Sequence, residues 1–256
     1  MSSVSVPGSR VQLDTGFRPT RHGFPFANTW RDAVLGVIAS RGRCGGMVFA
    51  ALDYFNAGEP IPGAGRPAEL PAHDSALARL VWRRQVASIT TGLGSNLWRF
   101  ALLTYLPSGA PLGAAETTRR EILPLAEALA AGRPVPLGLV SALSLRHLVR
   151  NHQMLAYGAE VGERVVLVRV YDPNYPRRDD VMLEIDIDGG QVIERIGARR
   201  VTWRGFFVER YAPMAATRAQ AGGTLAERAP DTRMIWGAVG FGVLLWLATR
   251  LLRKKR

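Results

Sequence analysis

Cys44 is the single thiol of the 256-residue chain, in the stretch Arg43-Cys44-Gly45-Gly46-Met47 directly before an apolar run. Backbone N–H groups and the helix dipole favour a thiolate over a thiol at a helix N-terminus. Gly45 and Gly46 are expected to leave room for a substrate backbone beside the sulfur. A cysteine nucleophile needs a base. His152 stands just before the apolar stretch Met154 to Gly158, and Asp172 and Asn174 stand in Val170-Tyr171-Asp172-Pro173-Asn174-Tyr175-Pro176. A histidine takes the thiol proton, and a carboxylate or amide fixes its tautomer and orientation. Each residue alone has a bland explanation: an inert buried cysteine, a structural histidine, or a proline-rigidified turn in which Asp172 and Asn174 bond their own backbone. Taken together they form a Cys-His-Asp/Asn arrangement.

The elements that must position these groups follow from hydrophobic periodicity. Met47, Ala51 and Phe55 recur at i, i+4 and i+8, the spacing of a helix with one buried face. It stops before Gly58 and the Gly- and Pro-rich loop that follows. Two further helices are expected between about His73 and Leu106, the second capped by Ser95-Asn96, and a fourth from about Ala115 to Ala130 with Thr117, Thr118 and Glu121 at its start. Gly132 closes that helix. The period then shortens. Pro134–Val140, His152–Val161 and Arg164–Tyr171 read as strands, followed by VMLEIDID, QVIERIG and FFVERY with a Gly189-Gly190 hairpin between the first pair. Helices followed by strands indicate an α+β domain, with a helical first half packed on an antiparallel sheet. The short Val161-Gly162-Glu163 turn brings His152 and Asp172 to one end of that sheet.

In this order, the motifs resemble papain-like cysteine peptidases, and among them the bacterial domains that clip double-glycine leader peptides from bacteriocins. The resemblance rests on Cys44-Gly45-Gly46, on Gly132-Arg133-Pro134-Val135, on Asn151-His152-Gln153-Met154-Leu155-Ala156-Tyr157-Gly158, and on Tyr171-Asp172-Pro173-Asn174, and it spans roughly Phe24 to Tyr211. It implies a papain-like fold and a thiol hydrolase cleaving a peptide or amide bond. Cys44 would be the nucleophile, His152 the base, Asp172 the orienting residue and Asn174 the reserve. Papain-like enzymes usually carry a glutamine six residues before the cysteine as an oxyanion donor; Ile38 stands there. Asn28, or an arginine such as Arg41, is the substitute to consider. The departure motivates an alternative: a catalytically inactive domain of the same fold that binds a peptide or protein partner at a membrane.

The rest of the chain bounds these readings. The formal net charge is +12, but Arg233, Arg250, Arg253, Lys254, Lys255 and Arg256 supply half of it, and the remaining arginines are scattered. Nucleic acid is therefore not the expected partner. One cysteine excludes a disulfide framework and any multi-cysteine metal site, and His22, His73, His147 and His152 lack paired ligand spacing, so neither metal nor cofactor is expected. Met234 to Thr249 is an uncharged run of 16 residues, extended by Leu251-Leu252 beyond Arg250. With a snorkelling arginine and tryptophans at 236 and 246, it reads as one C-terminal transmembrane helix. The expected organisation is an irregular lead-in over 1–21, the peptidase-like domain over 22–211, a flexible linker over 212–233, the transmembrane helix over 234–252 and a basic tail over 253–256. No N-terminal apolar run signals export. The expected protein is single-pass and anchored in the bilayer by its C-terminus. Its domain faces the cytoplasm and meets a peptide or protein substrate.

Overall fold

A computed structural model describes residues 10–34, 38–63, 68–91 and 95–214. The segments expected as linker from 215 onward, as transmembrane helix and as basic tail lie outside the described residues. Among those described, no helix is long and apolar enough to cross a membrane.

In chain order the elements are β1 (Val11–Asp14), α1 (Pro19–His22), β2 (Arg31–Val34), β3 (Ile38–Arg41), α2 (Cys44–Asn56), α3 (Ala76–Thr90), α4 (Asn96–Tyr105), α5 (Ala114–Ala130), β4 (Val135–Val140), a 3-10 segment (Leu145–Arg150), β5 (His152–Val161), β6 (Val165–Tyr171), β7 (Val181–Asp186), β8 (Val192–Ile196), β9 (Arg199–Trp203) and β10 (Gly205–Val208). The domain is α+β: N-terminal helices pack on a curled antiparallel half-barrel. The sheet runs β10-β4-β5-β6-β7-β8-β9, with β1 joining β5 off this path.

β5 is the organising strand. β6 lines one edge, while β4 pairs with its first half and β1 with its second half on the other. The register shifts between Ala156 and Gly158, a bulge that bends the strand where β4 gives way to β1. β4 is buried along its whole length and β5 over His152–Ala159, because α2 covers one face at β5 while α5 covers the other beneath β10 and β4. The alternation in β7 and β8 is the plainer pattern of a sheet with one solvated face. Three apolar clusters result among the described residues. One is aromatic, joining Phe17, Phe24, Phe26 and Trp30 to α2, the second is aliphatic, inside the curl of the sheet beneath α5, and a small third joins Phe100 and Leu103 of α4 to Val140 and Phe207.

Several sequence expectations change here. The lead-in read as irregular contributes β1, and its Phe17 is fully buried. α3 is capped by Ser75, which accepts from the Ala78 N–H. At α4, Ser95 makes no side-chain cap, and Asn96 turns inward to bond Ser88 and Arg210. α5 starts at Ala114 after Gly113, with Thr118 bonding the Ala114 carbonyl and the Phe206 N–H within the packed interior.

Candidate active site

The residue before the thiol is fixed first. Arg43 is buried, its guanidinium forked onto Asp32 at 2.7 and 2.8 Å, donating to the Ala78 carbonyl and lying over the Trp30 and Trp82 rings. A bidentate guanidinium–carboxylate pair with ring stacking is a rigid anchor. It ties the β2–β3 hairpin to α3 and sets where α2 begins. Gly42, at φ +91°, has Asn28 beneath it: a Cβ there would stand 2.3 Å from Asn28 Nδ2. The positive φ and the close approach both demand glycine.

Cys44 is the first residue of α2, half-buried, with no acidic residue in the first turn. Gln85 Oε1 accepts the Gly46 N–H at 2.9 Å, satisfying one of the donors a helix start leaves open. The space beside Gly45 and Gly46 is filled by the protein itself. A Cβ on Gly45 would stand 2.1 Å from Gln153 Oε1, and one on Gly46 2.1 Å from the Val81 carbonyl. The two glycines let α2 lie against α3 and β5, and they are not an approach for a substrate backbone.

His152 opens β5 and Asp172 follows β6, and the antiparallel pairing of these strands sets them side by side. His152 Nε2 and Asp172 Oδ1 are 2.7 Å apart, with the two side chains 9% and 1% exposed. Asn174 Nδ2 is 3.2 Å from the same nitrogen, and the Asn174 N–H donates to Asp172 Oδ1 at 2.8 Å. The ionised carboxylate can only accept, so Nε2 carries its proton toward Asp172; the Asn174 amide nitrogen is itself a donor and accepts nothing from it. Nδ1 is thus the ring nitrogen left for Cys44. Burial works against a charged imidazole, but Asp172 and then Cys44, both hydrogen-bonded to the ring, outweigh it and hold His152 well above its ordinary value. The ring is stacked against Trp203, centroids 6.1 Å apart at 19°.

Asn28 is a tether in this geometry. Its Oδ1 accepts the Arg43 N–H at 2.5 Å, its Nδ2 donates to Asn174 Oδ1 at 3.3 Å, and its own N–H donates to the Pro173 carbonyl at 3.0 Å. It joins the loop before Cys44 to the turn after β6. Ile38 lies opposite Val34 in the β2–β3 hairpin and Arg41 opposite Arg31.

Three groups at the site were not found from the sequence. Gln153 Oε1 is 3.9 Å from Cys44 Sγ and 3.4 Å from Ser88 Oγ, and its Nε2 donates to Glu209 Oε1 at 2.8 Å. Glu209 is buried just past β10. Burial, with the nearby Cys44 adding to it, pushes its carboxyl well above the ordinary range despite the Gln153 hydrogen bond. Glu194 is buried on β8 and accepts from Trp203 Nε1 at 3.0 Å. The signal for Glu194 was present in the alternation Val192-x-Glu194-x-Ile196, which puts a carboxyl on the apolar face. A cleft of about 180 Å³ opens beside Cys44 between α3, α4 and the 3-10 segment, walled by Ile89, Leu97, Phe100 and Leu148 with Gln85 and Gln153 as polar groups.

The other histidines stand apart: His22 against Phe17 and Phe55, His73 beside Arg43 and Asp32, and His147 beside Ser144. Among the described residues no group of three His, Cys, Asp or Glu side chains is placed to hold a metal ion. No family model, curated protein or solved structure matches the chain.

Proposed function

We propose that the protein is a papain-like thiol hydrolase that cleaves a peptide or amide bond with Cys44, His152 and Asp172. One observation carries the reading: a buried imidazole 2.7 Å from a buried carboxylate and hydrogen-bonded to a thiol at a helix N-terminus. Asp172 holds the tautomer and supports the charged ring. Cys44, its proton passed to His152, attacks the carbonyl carbon, and the carbonyl oxygen gains the charge. The Cys44 N–H at the start of α2 is the oxyanion donor, with the second Nδ2 hydrogen of Asn28 as the reserve. His152 returns its proton to the leaving amine as the C–N bond breaks. Water then attacks the thioester, giving its proton to His152, and the thiol is regenerated. The cleft beside Cys44 receives an apolar side chain of the substrate. Asn174 braces Asp172 and is not the orienting group.

The same reading keeps the chain at a membrane, anchored by residues 234–252 with the domain toward the cytoplasm and a peptide or protein as its substrate. The second reading, an inactive domain that binds a peptide partner, is favoured by Ile38 at the place of the usual glutamine and by the engagement of both polar atoms of Asn28.

The test is the rate of Cys44 alkylation against pH in the full chain, with and without His152→Ala. One cysteine makes the mass shift unambiguous. Rapid alkylation below pH 7 that disappears in the variant is expected. Alkylation that rises only near the free-thiol value of about 8.5 in both proteins contradicts the reading.

A further inference from the structure

Glu194 occupies an inward position of β8, between Val192 and Ile196, where the alternation otherwise delivers apolar side chains. It is 3% exposed, and its cross-strand neighbours, Leu183 on β7 and Val201 on β9, carry no charge. A lone buried carboxylate is costly unless paired. The cation acting on it is His152. Trp203 donates its indole N–H to Glu194 Oε2 at 3.0 Å, and the same indole lies against the imidazole of His152, tilted by 19°. The ionisable groups facing Glu194 are Asp172, from the end of β6 and hydrogen-bonded to it, and His152, from the start of β5.

We infer that Glu194 is a positioning residue for the His152–Asp172 pair, anchoring the Trp203 indole against the imidazole and holding a proton against the Asp172 carboxylate. The inference deepens the proposed triad and rests on it for its catalytic meaning. Burial foremost, then the Asp172 charge, pushes Glu194 up to about 7, against the pull of His152 and the Trp203 hydrogen bond. The proton on Glu194 therefore leaves in the physiological range. While it is present, Glu194 donates to Asp172 and the pair carries one negative charge. Once it has gone, a second negative charge faces Asp172, and the imidazolium persists to higher pH. Without the indole, one face of the His152–Asp172 hydrogen bond loses its apolar cover. Water there competes for both partners.

The experiment is an NMR titration of the full-length chain in detergent with carbon-13-labelled histidine, the His152 signal being identified by its loss in His152→Ala. The wild type is expected to show a second inflection near pH 7 on the His152 signal. Glu194→Gln keeps an acceptor for Trp203 and a donor for Asp172 but cannot ionise. It should lose that inflection, lower the His152 midpoint by ~1 unit and keep the ring-current shift from Trp203. Glu194→Ala should lose the ring-current shift as well. A His152 titration in Glu194→Gln that matches wild type overturns the inference, as does a single-step titration of the wild type, which needs no variant to fold. The readout does not depend on turnover. Loss of the inflection in a protein that cleaves nothing leaves the Glu194 coupling standing and removes the hydrolase reading. Turnover with an unchanged titration does the reverse.

Discussion

Asn28 and Asn174, 146 positions apart, meet beneath the site, Nδ2 of the first donating to Oδ1 of the second at 3.3 Å. The other end of the Asn28 amide holds the Arg43 N–H, so one side chain sets the spacing between the helix that carries the thiol and the turn that carries the carboxylate. Asn28→Ala should leave the Arg43 N–H buried without its acceptor and cost about 1–3 kcal/mol. Urea unfolding measures it. If Asn28 is a tether, the variant also slows Cys44 alkylation at pH 6, because the thiol and imidazole lose their spacing. A change in stability alone, with alkylation unchanged, would separate the two roles.

Asp172 and Asn174 should differ sharply in their effects on turnover. Asp172→Asn keeps the shape but offers the imidazole a neutral partner, and a loss on the order of 10²–10⁴ in kcat is expected. Asn174→Ala removes a neighbour whose backbone N–H still reaches Asp172, and its loss should stay within about tenfold. Peptide hydrolysis by the two purified variants decides the matter, and equal losses would contradict the assignment of Asp172 as the orienting residue.

The pH dependence of stability follows from the buried acids. Glu209, Glu194, Asp53 and His152 are all raised in the folded state, the acids chiefly by burial and His152 by its partners against burial. These four groups therefore bind more protons in the native state than in the unfolded chain above about pH 4.5, and their contribution falls as pH rises; His22, lowered chiefly by burial, opposes them up to its ordinary value of 6.5, and the four outweigh it. For Glu194 the fall runs from 4.5 to about 7; for His152 it begins at 6.5. The lowered carboxyls, Asp14, Glu116 and Asp180, lose their contribution only as pH falls below their ordinary values. Urea midpoints should decline from pH 5 to pH 8, and Glu209→Gln should flatten the decline. A midpoint that rises across this range would refute the account.

The last described residues close on a buried ion pair. Arg84 Nε meets Asp53 Oδ2 at 2.7 Å, and Asp53 Oδ1 also accepts from the Tyr211 hydroxyl at 2.5 Å and the Met214 N–H at 3.0 Å. Arg84→Met leaves Asp53 buried without its cation, and a loss of about 3–5 kcal/mol is expected in thermal or urea unfolding. A loss below about 1 kcal/mol, the range of an exposed pair, would show the site to be wet in solution.

Much of this architecture was legible in the sequence because it is local. The 3.6-residue period marked α2, α3, α4 and α5 to within a few positions, and the Gly189-Gly190 turn marked the β7–β8 hairpin. The pairing of His152 with Asp172 was legible for the same reason, since a short turn joins their strands. The missed elements depend on distant partners. Val11–Asp14 becomes a strand only because Gly158–Val161 offers an edge beyond the β5 bulge. β9 is arginine-rich at its start and shows its role only at Trp203, whose indole reaches both Glu194 and His152. Gln153 and Glu209 are remote in sequence and meet behind Cys44 once β4 has paired with β5 on one edge and β10 on the other. The glycines after Cys44 misled for a related reason: their emptiness on paper is occupied by Gln153, Ser88 and the α3 backbone.

The distance along the chain between the two halves of the site sets a timetable. Synthesis proceeds at ~5–20 residues per second, N-terminus first, so Cys44 precedes His152 by roughly 5–20 s, and Glu209 is made later still. β5 has β4 and β1 to pair with as soon as it is made, but Asp172 arrives only with the end of β6. A nascent chain thus carries its thiol without base, orienting carboxylate or buried backing. In the hydrolase reading, a half-made copy cannot cut its neighbours on the ribosome, and no separate inhibitory segment is needed to keep it silent until the fold closes.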